Sequence, residues 1–164
     1  MSDIKRIVLA GNPNVGKSIF FNSLTGMYVD VSNFPGTTVD ISRGKFGDYI
    51  VEDTPGVYGV SSFNDEEIAA RDIILNADIV LNVVDTVHMQ RDLFLTQQLM
   101  DMGKKIIVAL NMMDEAADNG IRLNITKLSE ILGVPVIETA AVKNKGLEVL
   151  LEKVTAGLAV AFFL

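Results

Sequence analysis

Apolar positions along this chain recur in short runs, at residues 4–10, 49–51, 79–84, 106–110 and 134–137. Most of these runs do not alternate with polar residues. That is how a strand reads when both faces of its sheet are covered. Between them lie helix-like stretches at 17–25, 65–75, 91–102, 126–132 and 147–158. Strands alternating with helices predict an α/β protein built on a mainly parallel sheet. Residues 41–47, followed closely by 49–53, read as a hairpin that adds one antiparallel edge strand. The expected architecture is a six-stranded sheet with helices on both faces, in a single domain covering residues 1–164. No internal repeat, low-complexity tract or linker breaks the pattern.

Length and composition fit this picture. A chain of 164 residues suits one domain and can bury a real core. Hydrophobic residues make up 49% of it, which argues against disorder. The net charge is −7, so non-specific binding to a nucleic-acid backbone is not expected. There is no cysteine, which removes disulfides, zinc-thiolate sites and cysteine nucleophiles. Residues 1–6 carry charge and lead into a strand-like run without a secretory cleavage pattern, so a cytosolic, soluble domain is the default expectation. The longest apolar run, 156–164, is shorter than the about 20 residues that span a bilayer.

Ligands of open α/β sheets bind beyond the carboxyl ends of the strands. The loops after the apolar runs are therefore where chemistry is expected. The first is Gly11-Asn12-Pro13-Asn14-Val15-Gly16-Lys17-Ser18, which matches G-x-x-x-x-G-K-[ST] between a strand and a helix. Its glycines permit a tight turn, its backbone N–H groups and the helix N-terminus face an anion, Lys17 reaches the β- and γ-phosphates, and Ser18 ligates Mg²⁺. The second is Asp53-Thr54-Pro55-Gly56, where a carboxylate can hold Mg²⁺ and the Gly56 N–H can meet a γ-phosphate. The third is Asn111-Met112-Met113-Asp114. Asp114 can accept hydrogen bonds from guanine N1–H and the exocyclic amine, which adenine cannot supply as a pair, so GTP is expected over ATP. Asn111 would brace the loop. The last is Thr139-Ala140-Ala141-Val142, with the Ala141 N–H directed at guanine O6. Residues 27–39 contain Asn33-Phe34-Pro35-Gly36-Thr37-Thr38, and a threonine there can complete the Mg²⁺ shell and respond to loss of the γ-phosphate. Thr37 and Thr38 are both chemically able.

The residue after Gly56 is Val57, where many switch GTPases carry a glutamine that orients water. Arg43, Arg71 and Arg91 lie on a hairpin or on helix-like stretches, and none stands out as an internal finger. Either intrinsic hydrolysis is slow, or the missing positive charge comes from elsewhere. Asn14 is a candidate to hold a monovalent cation against the phosphates, the alternative being a role in the loop turn alone. His88 reads as a surface or loop residue. Met100, Met102, Met112 and Met113 read as fillers of core or pocket. Asp65, Glu66 and Glu67 read as the acidic first turn of a helix.

Together these segments resemble the cytoplasmic G domain of the FeoB family of prokaryotic ferrous iron transporters. The match is carried by residues 11–18, by Asn-Phe-Pro-Gly-Thr-Thr-Val-Asp at 33–40, by Asp-Thr-Pro-Gly-Val-Tyr at 53–58 and by Leu-Asn-Met-Met-Asp at 110–114. The resemblance implies a Ras-like P-loop GTPase fold that binds GTP and GDP with Mg²⁺. It puts the metal-binding threonine at Thr38, beside Ser18 and Asp53. It implies that Asn14 coordinates an activating K⁺, with backbone carbonyls of the 33–38 segment completing the cage. It further implies that nucleotide state regulates Fe²⁺ passage through a membrane domain of the same full-length protein, at the cytoplasmic face of the cell membrane, with an oligomeric transporter allowed. Phe34, Thr54 and Ala140 depart from the family's usual tryptophan, leucine and serine. The wider group of TrmE–Era-like GTPases, which act in RNA modification or ribosome assembly, shares three of the four segments and is the alternative. A P-loop kinase or ATPase is the third reading, and Asn111 and Asp114 argue against it.

Overall fold

β1 (Arg6–Gly11) is the central strand of the molecule, and it shows why the apolar runs are continuous. Ile7 and Leu9 enter one hydrophobic core while Val8 and Ala10 enter another, on the opposite face of the sheet. All four are fully buried. The structure is a computed structural model, and it describes residues 5–26, 29–61 and 63–160. Ile4, Met27 and residues 161–164 of the apolar ending lie outside the described residues.

Seven strands form one sheet in the order β2 (Val29–Asn33), β3 (Asp40–Phe46), β4 (Tyr49–Asp53), β1, β5 (Ile79–Asp85), β6 (Ile106–Asn111) and β7 (Val136–Glu138). Pairings from β4 to β7 are parallel, and antiparallel pairing is confined to the β2–β3–β4 edge. The sheet thus has one strand more than the apolar runs predict. β2 pairs with β3 from Val29↔Gly44 to Asn33↔Asp40, inside the segment read as a loop. All five of its residues are exposed, so it carries no core signature that a hydrophobic pattern could reveal.

The helices are α1 (Lys17–Thr25), α2 (Asp65–Leu75), α3 (Met89–Asp101), α4 (Met113–Asp118), α5 (Ile125–Leu132) and α6 (Leu147–Val160). α1 and α6 cover the face of Ile7 and Leu9, through Phe20, Phe21, Leu150 and Val154. α2 and α3 cover the face of Val8, through Ala70, Ile74, Leu95 and Leu99. Asn64 caps α2 by accepting the Glu67 N–H at 2.8 Å, and Asp65, Glu66 and Glu67 form its acidic first turn. α4 is an addition, too short to show a helical period. Among the described residues, no helix is long and apolar enough to cross a membrane. The parallel strands end at Gly11, Asp53, Asp85, Asn111 and Glu138, and this shared edge gathers the motif loops.

Candidate functional site

Gly11 ends β1 and Lys17 opens α1, so residues 12–16 must turn the chain sharply. Asn14 (φ 65°) and Gly16 (φ 93°) adopt left-handed backbone, an arrangement that aims successive N–H groups into a concavity. No side chain caps α1, which leaves its first-turn donors available to an anion. The glycines answer to protein packing as well as to phosphate. A Cβ on Gly11 would lie 2.7 Å from the Val83 carbonyl oxygen, and one on Gly16 would lie 2.6 Å from Asn111 Nδ2.

That second contact belongs to a brace. Asn111, buried at the end of β6, donates from Nδ2 to the Val15 carbonyl at 2.9 Å. Its Oδ1 accepts from the Ala141 N–H at 3.0 Å and from Thr139 Oγ1 at 3.3 Å. One side chain therefore ties the phosphate loop to the 139–142 loop. It also engages the Ala141 N–H, so a guanine O6 would have to share that donor. Ala140, where the resemblance expects serine, is held by backbone bonds with Lys145. Val142 is exposed.

Met112 turns left-handed (φ 61°) and places Asp114 in the first turn of α4. Burial works against the Asp114 charge, but the hydrogen bond from Lys143 and the Glu115 backbone N–H outweigh it and hold the carboxyl below its ordinary range. Lys143 Nζ lies 3.2 Å from Asp114 Oδ2. The carboxylate is thus kept ionised, as an acceptor for paired N–H donors must be.

Asp53 closes β4 with its side chain 20% exposed and 3.6 Å from Lys17 Nζ. Its Oδ1 is buried and faces the Lys17 ammonium at 3.6 Å, beyond hydrogen-bond distance. Burial pushes this carboxyl up, with Lys17 opposing but not cancelling the shift. A buried carboxylate oxygen only loosely paired, and still destabilised by burial, has room for a further cation. Ser18 and Thr38 are exposed, and their hydroxyls, like the Asp53 carboxylate, are oxygen donors of the kind Mg²⁺ takes. Thr37 is occupied elsewhere: its hydroxyl donates to the Phe34 carbonyl at 2.9 Å and accepts from the Val39 N–H at 3.1 Å. Thr38 carries no side-chain hydrogen bond among the described residues, which leaves it as the available threonine. Gly36 (φ 79°) makes the turn between them and Asn33.

The 53–58 segment rests on the phosphate loop. A Cβ on Gly56 would lie 2.8 Å from Pro13 Cα, and the Val57 N–H donates to the Gly11 carbonyl at 3.1 Å. Val57 is buried in the core and offers nothing to a water molecule. Thr54 fits where the resemblance expects leucine because its buried hydroxyl donates to the Leu9 carbonyl at 2.7 Å. Arg43 is committed to Glu52 and Ser32 within the sheet edge.

Sequence reasoning missed the head of α3. Asp92 is buried there and accepts from Asn12 Nδ2 at 2.8 Å, from the Asp85 N–H at 2.9 Å and from Arg91 Nε at 3.0 Å. The Arg91 guanidinium lies over the Tyr58 ring, 5.3 Å from its centroid. Gln98 holds the same segment by accepting the Val60 N–H at 2.8 Å. The signal was present: Asp92 shares the helical stripe of Leu95, Thr96 and Leu99, and an acid on a buried stripe needs partners. His88 is exposed, with Nδ1 2.7 Å from Asp85 Oδ2.

Over residues 5–154 the chain matches the family described as Ferrous iron transport protein B. It is 44% identical over 155 residues to the Fe(2+) transporter FeoB of Legionella pneumophila (strain Paris), covering 87% of this chain and 20% of that protein. A GDP-bound point mutant of S. thermophilus NFeoB shares 41% identity and superposes with a TM-score of 0.87, covering 92% of this chain and 61% of that one. The FeoB G-domain from Methanococcus jannaschii shares 38% identity with a TM-score of 0.80, covering 96% of this chain and 99% of that one. The chain spans about a fifth of the length of the curated relatives it matches.

Proposed function

The chain belongs to the Ferrous iron transport protein B family and has the family's α/β P-loop GTPase fold, and from that premise we propose that it binds and hydrolyses GTP to control Fe²⁺ passage. The observation that carries this reading is the convergence of the four loops at one sheet edge, joined by Asn111 and by the Lys17–Asp53 pair. Residues 11–18 receive the phosphates, with Asn12, Pro13 and Val15 contributing backbone and Lys17 charge. Asn111, Met112, Asp114, Ala140, Ala141 and Val142 line the base. Gly56 meets the γ-phosphate with its N–H. Ser18, Thr38 and Asp53 hold Mg²⁺, which supplies neutralisation of phosphate charge when bound. Fe²⁺ passage itself is assigned to the membrane domain of a longer protein, with this domain at the cytoplasmic face. The acidic net charge of −7 speaks against the RNA-associated alternative.

Hydrolysis is slow and K⁺-assisted in this reading. Val57 cannot orient water, and Asn14 presents an exposed amide from the phosphate loop. The expected result is faster phosphate release from GTP in K⁺ than in Na⁺, with Asn14→Ala removing the difference. A cation placed at developing negative charge is worth about 10²-fold or more. Equal rates in the two salts, unchanged by Asn14→Ala, would leave Asn14 with the turn alone.

A further inference from the structure

The buried carboxylate of Asp92 lies outside the motif loops, yet it accepts three hydrogen bonds. It is 1% exposed and takes hydrogen bonds from three directions. A buried charge persists only when paired and hydrogen-bonded, so these bonds fix its position firmly. Two of its partners lead to the candidate site. Asn12 precedes Pro13, on which Gly56 packs. Arg91 lies between Asp92 and the ring of Tyr58, which closes the 53–58 segment. Asn12 Oδ1 is buried without a hydrogen bond among the described residues, so the Nδ2–Asp92 bond is what orients this amide.

We propose that Asp92 and Arg91 are positioning residues that fasten Tyr58 to Asn12, so that the segment meeting the γ-phosphate and the loop cradling it move as one unit. This rests on the GTPase reading above and extends it to residues that contact no nucleotide. The physical logic is division of labour around one guanidinium. Its Nε is spent on Asp92, which is anchored to the phosphate loop and to the end of β5. Its face covers an aromatic ring that is 53% exposed and has no place in the core. Bringing GTP into the site requires Gly56 to be at the correct height above Pro13, and the Arg91–Tyr58 contact sets that height from the next residue but one. GDP makes no demand on Gly56. The link therefore bears on GTP and on hydrolysis, and leaves GDP affinity alone.

The test uses the 164-residue chain with Arg91→Ala, Tyr58→Leu, the double variant, Tyr58→Phe and Asp92→Asn. Hydrolysis of GTP with Mg²⁺ is measured beside affinity for GDP and for a non-hydrolysable GTP analogue. Arg91→Ala and Tyr58→Leu are each expected to lower kcat about two- to five-fold, the size of a half-exposed cation–π contact. The double variant should be no worse than Arg91→Ala, because that single change already removes the ring contact that Tyr58→Leu removes. Tyr58→Phe keeps the ring and should restore most of the rate. Asp92→Asn should reproduce the Arg91→Ala loss; the two surface variants decide the matter if it does not fold. GDP affinity should be unchanged in Arg91→Ala and Tyr58→Leu. With the unaltered chain active, unchanged hydrolysis in both single variants, losses that multiply in the double variant, or equal losses of GDP and analogue affinity would overturn the link alone. No hydrolysis by the unaltered chain would overturn the GTPase reading and the link with it.

Discussion

Asp114→Asn is expected to lower GTP affinity by about 10²- to 10⁴-fold, since two hydrogen bonds to a charged acceptor are lost at about 1.5–3 kcal/mol each. The amide that replaces the carboxylate presents a donor to guanine N–H groups that are themselves donors. Xanthine carries a carbonyl where guanine carries its exocyclic amine, and an asparagine N–H can donate to it. The same variant should therefore gain affinity for xanthosine triphosphate. Two features make Asp114 suited to this role. Lys143 and the Glu115 backbone hold it ionised, and the left-handed Met112 fixes the start of its helical turn. The Lys143–Asp114 pair lies at the surface, with side chains 55% and 26% exposed, so its loss should leave thermal stability nearly unchanged. Fluorescent nucleotide titration of the unaltered chain and of Asp114→Asn with GDP and XDP reads the switch. Equal weakening of guanine and xanthine nucleotides would assign Asp114 to loop structure instead of base recognition.

The second large effect is at Asp53, and its two halves have opposite signs. Asp53→Asn should reduce Mg²⁺-dependent hydrolysis by about 10²-fold or more, the usual scale for removing one group that stabilises developing charge. In the nucleotide-free chain the same change should raise the melting temperature slightly. Burial dominates the environment of this carboxylate, and Lys17 at 3.6 Å does not compensate it fully. An asparagine removes the buried charge while keeping the shape. A drop in melting temperature together with intact hydrolysis would show that Asp53 serves the fold and not the metal. Melting curves with and without Mg²⁺ and GDP separate the two: the unaltered chain should gain more from the ligands than Asp53→Asn does.

Much of this could be read from residues alone, for a physical reason in each case. The central strands are legible because burial on both faces leaves an unbroken apolar run, as in β1 and β6. The ends of α1 and α2 are legible because a glycine turn and the Asn64 cap fix where they begin. β2 is hidden because an exposed edge strand has no apolar face to display. α4 is hidden because six residues cannot show a period. The motif loops are legible because their spacing is tied to the ligand. Their connections are not: Asn111 reaches Val15 across 96 residues, and Asp92 reaches Asn12 across 80, and no local pattern announces either bond. Family resemblance favours Thr38 over Thr37. The structure points the same way, since the Thr37 hydroxyl is consumed within its own turn.

The central claim is that this sheet edge hydrolyses GTP and distinguishes it from ATP. The most direct measurement is phosphate release by the 164-residue chain in Mg²⁺ and K⁺, with GTP as substrate and ATP as competitor. The account predicts release from GTP that survives a large excess of ATP, disappears on chelation of Mg²⁺ and is lost in Lys17→Ala. Equal competition by ATP, or release that persists in Lys17→Ala, would contradict it.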